Sequence, residues 1–258
     1  MKARKNSAFT LIETMVAMVI GMICVAAILY AYQFFSKSYQ GLLDKAAISD
    51  SGRTSLSMIA RDLRNAGYKD INYNRFSWDR RIEQIDNYNS SGADSLVVWY
   101  NTSPTERLKI SYFLKKYNTS NDMYLAKEVI ENPKVKNSYG MGMKRNCQRY
   151  KTQKNCVPQV IVPFVTDFQV VFKDVNGNEL RPVCGRDSCS SVGRDNQSKV
   201  HTAEVYLTVR SPNEIYQNNK IIKIINYNST TGRHQTITDR YHRETFFISV
   251  YLRNIVKI

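Results

Sequence analysis

Residues 8–35 read AFTLIETMVAMVIGMICVAAILYAYQFF, and this stretch decides the fold. Residues 14–32 form a run of nineteen without a charge, and about twenty apolar residues of helix span the hydrocarbon core of a bilayer. The segment before the run is short and basic, with Lys2, Arg4, Lys5 and no acid. Such a cation cluster keeps the amino terminus in the cytoplasm. The pattern therefore predicts one membrane-spanning helix, with the rest of the chain exported.

Glu13 sets this run apart from an ordinary secretion signal. A carboxylate near the start of an apolar helix weakens membrane insertion and serves no purpose in a disposable leader. A signal peptide cleaved near residues 25–27 and a lipoprotein signal ending at Cys24 are two alternatives. The apolar run is overlong for the first, and the bulky Ile23 before the cysteine argues against the second. A plain single-span anchor explains everything except Glu13.

The short sequence AFTLIE at residues 8–13 resembles the processing site of type IV prepilins and pseudopilins. The resemblance implies that a prepilin peptidase cuts between Ala8 and Phe9 and then methylates the new amine of Phe9. It also implies that Glu13, at the fifth position of the mature chain, is the carboxylate used in filament assembly. The family usually has Gly before the cut, and Ala8 departs from that pattern while remaining small.

The membrane setting gives Glu13 a physical reason to pair. An ionised carboxylate in hydrocarbon must find a partner or lose its charge. Cleavage creates an amine on Phe9, the one cation at that depth, and we expect it to pair with Glu13 of a neighbouring subunit. Loss of the basic leader also lowers the cost of withdrawing the helix from the bilayer.

The helical pattern continues past the membrane segment to Ala66, and Gly67 follows as a C-cap. Apolar residues recur at the three- and four-residue spacing of one helix face: Leu56, Ile59, Leu63 and Ala66. The charged residues of this segment are predicted to lie on other faces: Arg61, Asp62 and Arg64. The chain is expected to divide into a leader (1–8), a membrane or filament-core half of the helix (9–35), an amphipathic half (36–67) and a periplasmic β-rich head (68–258).

After residue 68 the apolar period changes to that of strands. The predicted strands cover residues 96–100, 108–114, 123–130, 164–173, 200–210 and 245–252. Asn176 and Gly177 predict a hairpin turn, whereas residues 70–92 and 212–242 are polar and show no clear element. The sequence thus predicts an α+β fold in which the long helix packs on an antiparallel β-sheet head.

Three further stretches resemble the PilW family of minor pilins: residues 52–68 at the helix end, FVTDFQV at 164–170, and residues 243–254. The resemblance implies a subunit that helps to initiate type IV pilus assembly, sits at or near the pilus tip, and supports twitching motility, adhesion or DNA uptake. Its implied partners are other minor pilins, the major pilin, the inner-membrane assembly platform, the prepilin peptidase and a tip adhesin. Its implied location is the inner membrane before assembly and the pilus afterwards. The J-type pseudopilin of type II secretion has a related layout and is the alternative.

The five cysteines divide unevenly along the chain. Cys24 lies in the apolar run, where it behaves as a small hydrophobe. The other four form two close pairs in polar stretches, which in an exported chain predict disulfides. Short loops favour the pairings Cys147–Cys156 and Cys184–Cys189. A four-thiolate zinc site is the rival interpretation, although the spacings of eight and four residues do not match its usual pattern.

The net charge of +15 leaves +13 on residues 36–258, since the basic leader and Glu13 together contribute +2. Such a surplus accelerates encounters with anionic partners. One basic stretch is the candidate for contacts with DNA or another anion, and such contacts depend on salt: Lys144, Arg145, Arg149, Lys151 and Lys154. The alternative is a basic surface of scattered Lys and Arg.

No pattern predicts catalysis. The three histidines are scattered along the chain and form no metal-ligand spacing: His201, His234 and His242. Residues 174–179 contain residue types found in calcium-binding loops. However, the glycine is at the fourth position of this stretch, whereas an EF-hand loop requires glycine at its sixth position. The sequence predicts no enzyme activity, no cofactor and no metal; the chain is instead expected to be a substrate of the peptidase.

Overall fold

The computed structural model describes residues 10–69, 81–85, 93–103, 106–117, 121–131, 158–180, 197–224 and 235–255. The chain divides into two compact units, Met1–Ala46 and Ala47–Ile258. A single helix, α1, covers Leu11–Asn65. The strands are β1 (Ile82–Ile85), β2 (Ser95–Asn101), β3 (Arg107–Lys116), β4 (Met123–Glu131), β5 (Gln159–Val162), β6 (Val165–Lys173), β7 (Glu179–Leu180), β8 (Thr202–Glu214), β9 (Lys220–Ile224), β10 (Gln235–Asp239) and β11 (Tyr241–Tyr251).

The described part of the first unit is residues 10–46, the stretch of α1 that contains the apolar run. Every residue from 10 to 40 is exposed, including the large apolar side chains of the run and Cys24. Among the described residues, α1 is the one helix long and apolar enough to cross a bilayer. An apolar surface of this extent needs lipid or partner helices to cover it. The predicted apolar helix is therefore confirmed.

In the second unit, α1 from residue 47 onward has one buried face. Leu56, Ile59 and Leu63 lie on that face, as their spacing predicts. The helix ends at Asn65, and Gly67 follows with φ of +76°, a backbone conformation that glycine adopts without strain. The Gly67 amide donates to the carbonyl of Trp99 at 2.8 Å, so the end of the helix is hydrogen-bonded to the sheet.

One prediction about this helix is wrong. Arg61 and Arg64 are exposed as expected, but Asp62 is only 2% exposed and faces the core. The carboxylate is buried because Tyr112 on β3 and Lys127 on β4 bind it there. Buried charge is tolerated when it is paired and hydrogen-bonded in this way.

The head contains two larger antiparallel sheets. The five-stranded sheet has the order β1–β2–β3–β4–β5, and the four-stranded sheet has the order β11–β8–β6–β7. The predicted strands at 96–100, 108–114, 123–130, 164–173, 200–210 and 245–252 are all present, with shifted ends. Together with the long apolar helix, they confirm the predicted α+β fold.

Two polar regions contain strands that the sequence did not reveal. β1 lies inside 70–92, where the buried Gln84 side chain donates to the Asp94 carboxylate (3.0 Å) and the Val170 carbonyl (2.6 Å). The 212–242 region contains the two-stranded β9–β10 sheet and the ends of β8 and β11. These strands were missed because a short strand with buried polar or exposed apolar residues lacks clean alternation.

The chain passes from the five-stranded to the four-stranded sheet through only Pro163 and Phe164, between β5 and β6. Phe164 has φ of +55°, which is strained for a residue with a Cβ. Two contacts with Arg210 hold it: the Arg210 amide donates to the Phe164 carbonyl at 2.9 Å, and the guanidinium lies 5.2 Å from the ring centroid. The predicted hairpin turn at Gly177 (φ +82°) follows β6 and is confirmed.

A single apolar core joins residues 48–66 of α1 to both larger sheets. Its largest fully buried apolar side chains from these three elements include Ile59, Leu63, Leu96, Phe168 and Leu207. This core is what orients the two sheets against the helix within the second unit.

Candidate functional site at the start of the helix

The first turn of α1 is closed by a reciprocal pair, Thr10 and Glu13. The Thr10 amide donates to Glu13 Oε2 at 2.8 Å, and the Thr10 hydroxyl donates to the same oxygen at 2.9 Å. In return, the Glu13 amide donates to Thr10 Oγ1 at a longer 3.4 Å. Because α1 begins at Leu11, Thr10 is its N-cap and Glu13 its third residue. This arrangement is a capping box.

The capping box was readable from the sequence, in the Thr-x-x-Glu spacing of residues 10–13. Sequence reasoning assigned Glu13 to assembly alone and missed this second role. An acid in the first turn also interacts favourably with the positive end of the helix dipole. Glu13 therefore has a local role, because its carboxylate stabilises the start of its own helix.

Both hydrogen bonds to the carboxylate fall on Oε2. Among the described residues, none donates a hydrogen bond to Oε1. The apolar residues Leu11, Ile12, Met15 and Val16, which flank the acid in the sequence, are exposed. Oε1 is therefore left open to a further hydrogen bond or ion pair at an exposed helix start. Ala8 and Phe9, the predicted cut and methylation positions, lie outside the described residues.

Residues 3–29 match the model of the prokaryotic N-terminal methylation motif. The match covers the predicted cut, Glu13 and the larger part of the apolar run. The matched motif therefore runs directly into the long apolar helix α1. Among solved structures, a type IV-like pilin from Thermus thermophilus is similar, with a TM-score of 0.47 and 14% identity over 82% of this chain and 100% of that one. A comparison with curated proteins found no match.

Other predicted site residues lie outside the described residues. These are the basic stretch (Lys144, Arg145, Arg149, Lys151, Lys154) and the four paired cysteines (Cys147, Cys156, Cys184, Cys189). Both the anion contacts and the disulfide pairings therefore stay predictions.

The described histidines occupy separate surroundings. His201 packs against Tyr251 with ring centroids 4.5 Å apart, and His242 shares a 2.8 Å hydrogen bond with the Tyr216 hydroxyl. His234 lies outside the described residues. The part of the chain that the structure describes contains no group of three potential His, Cys, Asp or Glu metal ligands.

A buried polar triad fixes the end of α1 inside the head. Asp62 Oδ2 accepts hydrogen bonds from the Tyr112 hydroxyl at 2.6 Å and from Lys127 Nζ at 2.7 Å. Burial, and then the charge of Asp62, raise the pKa of Tyr112 far above its ordinary value, so the phenol stays a donor. The triad connects the helix to two neighbouring strands and sets its rotation against the sheet.

Proposed function

We propose that this chain is a minor pilin that helps to initiate type IV pilus assembly and sits at or near the pilus tip. One observation carries the proposal: the methylation motif over residues 3–29 leads directly into an apolar helix whose side chains are exposed. Such a helix is stable only in lipid or among other helices of its kind. A filament subunit uses both environments in turn.

The first proposed step is processing at the membrane. The prepilin peptidase removes residues 1–8 and methylates the amine of Phe9. Removal takes away three cations. Lys and Arg beside a membrane helix favour the cytoplasmic side, so these residues would otherwise keep the helix in the membrane. The mature helix then leaves the bilayer at a lower electrostatic cost, with the head on the periplasmic side.

The second proposed step is docking of the helix among other pilin helices. Glu13 Oε2 is occupied by Thr10, so Oε1 is the oxygen proposed to accept the Phe9 amine of a neighbouring subunit. In an apolar filament core the pair is strongly favoured, because either charge alone would be costly. The proposed partners are other minor pilins, the major pilin, the inner-membrane assembly platform and a tip adhesin.

The size of the head supports a subunit that is present in few copies, at an end of the filament. The second unit spans Ala47–Ile258 and has two large sheets besides its helix. A bulky head packs poorly along a tightly wound filament, whereas a filament end leaves room for it. The size of the head therefore favours a minor over a major pilin.

Mass spectrometry of the amino terminus tests the processing step. The full chain is expressed with and without a prepilin peptidase, and the expected product begins at an N-methylated Phe9. The matched control is Phe9→Asp, which keeps the leader and changes the residue after the cut; it should remain unprocessed. Recovery of an intact amino terminus, or a cut near residues 25–27, would contradict the proposal.

A deletion strain tests the assembly role. Loss of surface pili and twitching with normal exoprotein secretion is the expected phenotype, restored by the wild-type chain. The reverse pattern, with pili retained and secretion lost, would assign the chain to a type II pseudopilus instead.

A further inference from the structure

β11 forms one edge of the four-stranded sheet among the described strands. Residues 245–251 of this strand read TFFISVY, with no charge and no proline. Natural edge strands usually carry a charge, a proline or a bulge, because a bare edge is a template for pairing with another chain. β11 pairs with β8 without irregularity over this stretch, and its one register shift lies between Tyr241 and Arg243. The edge is therefore regular and has none of these protections within residues 245–251.

The register shows which backbone groups of β11 point away from β8. The pairing extends to Tyr251, which lies opposite Thr202. The next amide, that of Leu252, donates to the carbonyl of His201 at 2.9 Å. In an antiparallel pair, residues bonded in this way alternate with residues whose amides and carbonyls point away from the partner strand. The backbone groups that point to the open edge therefore belong to alternate residues: Thr245, Phe247, Ser249 and Tyr251.

The same residues carry their side chains on the exposed face of the sheet. Phe247 and Tyr251 are 54% and 50% exposed, whereas Phe246 on the opposite face is buried. Neighbours already hold both exposed rings. Phe247 packs on Tyr206 with ring centroids 4.8 Å apart, and Tyr251 packs on His201 at 4.5 Å. A strand added at this edge would therefore meet ordered apolar groups, which lose little further side-chain freedom on binding.

The charge of the chain indicates the chemistry of the partner. Of the net charge of +15, +13 lies on residues 36–258, so an acidic segment is attracted and a further copy of the chain is repelled. At the start of β11, Arg243 is already paired with Asp239. At the other end, Arg253 is exposed and lies two residues beyond Tyr251. Arg253 is therefore the cation best placed to meet an incoming acid.

We propose that the open edge of β11 binds an extended acidic segment of another protein, which adds to the sheet as an antiparallel strand. Main-chain hydrogen bonds give such strand addition its affinity, and alternate side chains give it specificity. The segment places apolar side chains opposite Phe247 and Tyr251, and a carboxylate at its amino-terminal end beside Arg253. Apolar pairs with aromatic rings and pairs of opposite charge both stabilise antiparallel strands.

This pairing is independent of the leader and the apolar helix, on which the proposed pilin function rests. A segment of a different protein brings no second copy of α1. Its direction along the edge is therefore not restricted by the membrane orientation of that helix.

Fluorescence anisotropy of a short labelled peptide, titrated with the full chain in detergent, tests the hydrogen-bonding pattern. The probe is capped at both ends and reads Glu-Thr-Val-Thr-Thr-Thr-Val-Thr-Thr, with its valines opposite Tyr251 and Phe247. It should bind saturably at low salt. N-methylation of both valines removes amides that face β11 and should weaken binding about tenfold or more. N-methylation of the threonine after each valine alters amides that face away, and should change the Kd by less than about twofold.

Exchange of charge tests the acidic chemistry. A probe with lysine in place of its glutamate should bind more weakly than the original, because its charge then meets Arg253. Arg253→Glu should weaken the glutamate probe and strengthen the lysine probe. Lys223→Glu makes a similar change at an exposed residue of β9 and should leave the ratio of the two Kd values unaltered. Binding of the glutamate probe should weaken between about 0.05 M and about 0.5 M NaCl, because salt screens the attraction.

A change at the edge itself tests the location. Ser249→Pro removes an amide that points to the open edge, where proline is tolerated because β8 is not bonded there. It should reduce binding about tenfold or more, whereas Ser249→Ala keeps the amide and should bind as the wild type does. Near-UV circular dichroism checks that both heads are folded. The two N-methylated probes make the same comparison on the wild-type chain, so the test does not depend on the fold of the variant.

Three results would overturn the proposal. The first is the absence of saturable binding by the glutamate probe. The second is equal binding of the two N-methylated probes, and the third is unchanged binding by folded Ser249→Pro. In the last two cases the peptide lies elsewhere, for example on the apolar helix.

Discussion

Asp167 on β6 is a buried carboxylate with incomplete hydrogen bonding. Asp167 is only 4% exposed, and Gln169 Nε2 donates a hydrogen bond to its Oδ1 at 2.9 Å. Oδ2 is buried and has no hydrogen-bond partner among the described residues. Burial raises the pKa of Asp167 from 3.8 to about 6, against smaller lowerings by the Gln169 side chain and the Phe168 backbone. Asp167→Asn keeps the shape of the side chain and removes the charge.

The size of the effect follows from this pKa. Each pH unit of difference corresponds to about 1.4 kcal/mol, so ionising Asp167 in the folded head costs about 3 kcal/mol relative to the unfolded chain. The folded pKa is the higher one. The favourable contribution of the protonated acid is therefore complete below pH 3.8 and is lost as the pH rises through about 6.

The predicted consequence is a pH-dependent stabilisation by Asp167→Asn. Near pH 4 the variant and the wild type should differ little in free energy of unfolding. At about pH 7.5 the variant should be more stable by up to about 3 kcal/mol, since the wild type alone holds a buried charge. Urea unfolding of the full chain in detergent, followed by near-UV circular dichroism at both pH values, measures this difference.

Asp174 provides the control. This exposed acid in the β6–β7 turn accepts hydrogen bonds from Asn178 and from turn amides, and its pKa is lowered, chiefly by the Asn178 side chain. Asp174→Asn should therefore destabilise the head at neutral pH and have less effect as the pH falls through its lowered pKa. Equal effects of Asp167→Asn at both pH values, or a loss of stability at pH 7.5, would refute the reasoning.

Three further perturbations test other contacts. Glu13→Ala should leave processing intact but reduce incorporation into filaments, measured by immunoblotting sheared pili; normal incorporation would remove the proposed pairing. Gly52→Ala should destabilise the head by about 1–3 kcal/mol in urea, because the added methyl overlaps the Phe246 ring; no change in the midpoint would contradict that packing. Asp62→Ala should cost about 3–5 kcal/mol by leaving the charge of the largely buried Lys127 unpaired, and adding Lys127→Met should recover part of that loss.

The helix could be predicted well because its signals are local. An uncharged run, three- and four-residue apolar spacing and a terminal glycine all act within a few turns. Asp62 could not be placed from these signals. Its partners Tyr112 and Lys127 lie 50 and 65 residues farther along the chain. Without them, the helical pattern of apolar residues predicts that an acid lies on the solvent-exposed face. Only the pairing of β3 with β4 brings the two donors to the same side of the helix.

Strand positions were predictable where burial alternates along the strand, as in β8 from Thr202 to Leu207. In β9 the residue types do not alternate, since the apolar Ile221 and the charged Lys223 share its exposed face. In β1 the buried Gln84 replaces an apolar residue, because its amide hydrogen-bonds to Asp94 and to the backbone of β6. Such polar contacts between sheets depend on tertiary structure, which a residue pattern does not encode.

The capping role of Glu13 would support its proposed role in assembly. The capping box orients the carboxylate through Oε2 while leaving Oε1 toward the surface, so less side-chain entropy is lost when an amine binds. Processing would add the amine of Phe9 next to the positive end of the helix dipole, and these like charges would repel. A carboxylate in the first turn of the helix offsets both. In the proposed filament each subunit therefore stabilises its own helix start and neutralises a neighbour's new charge with the same side chain.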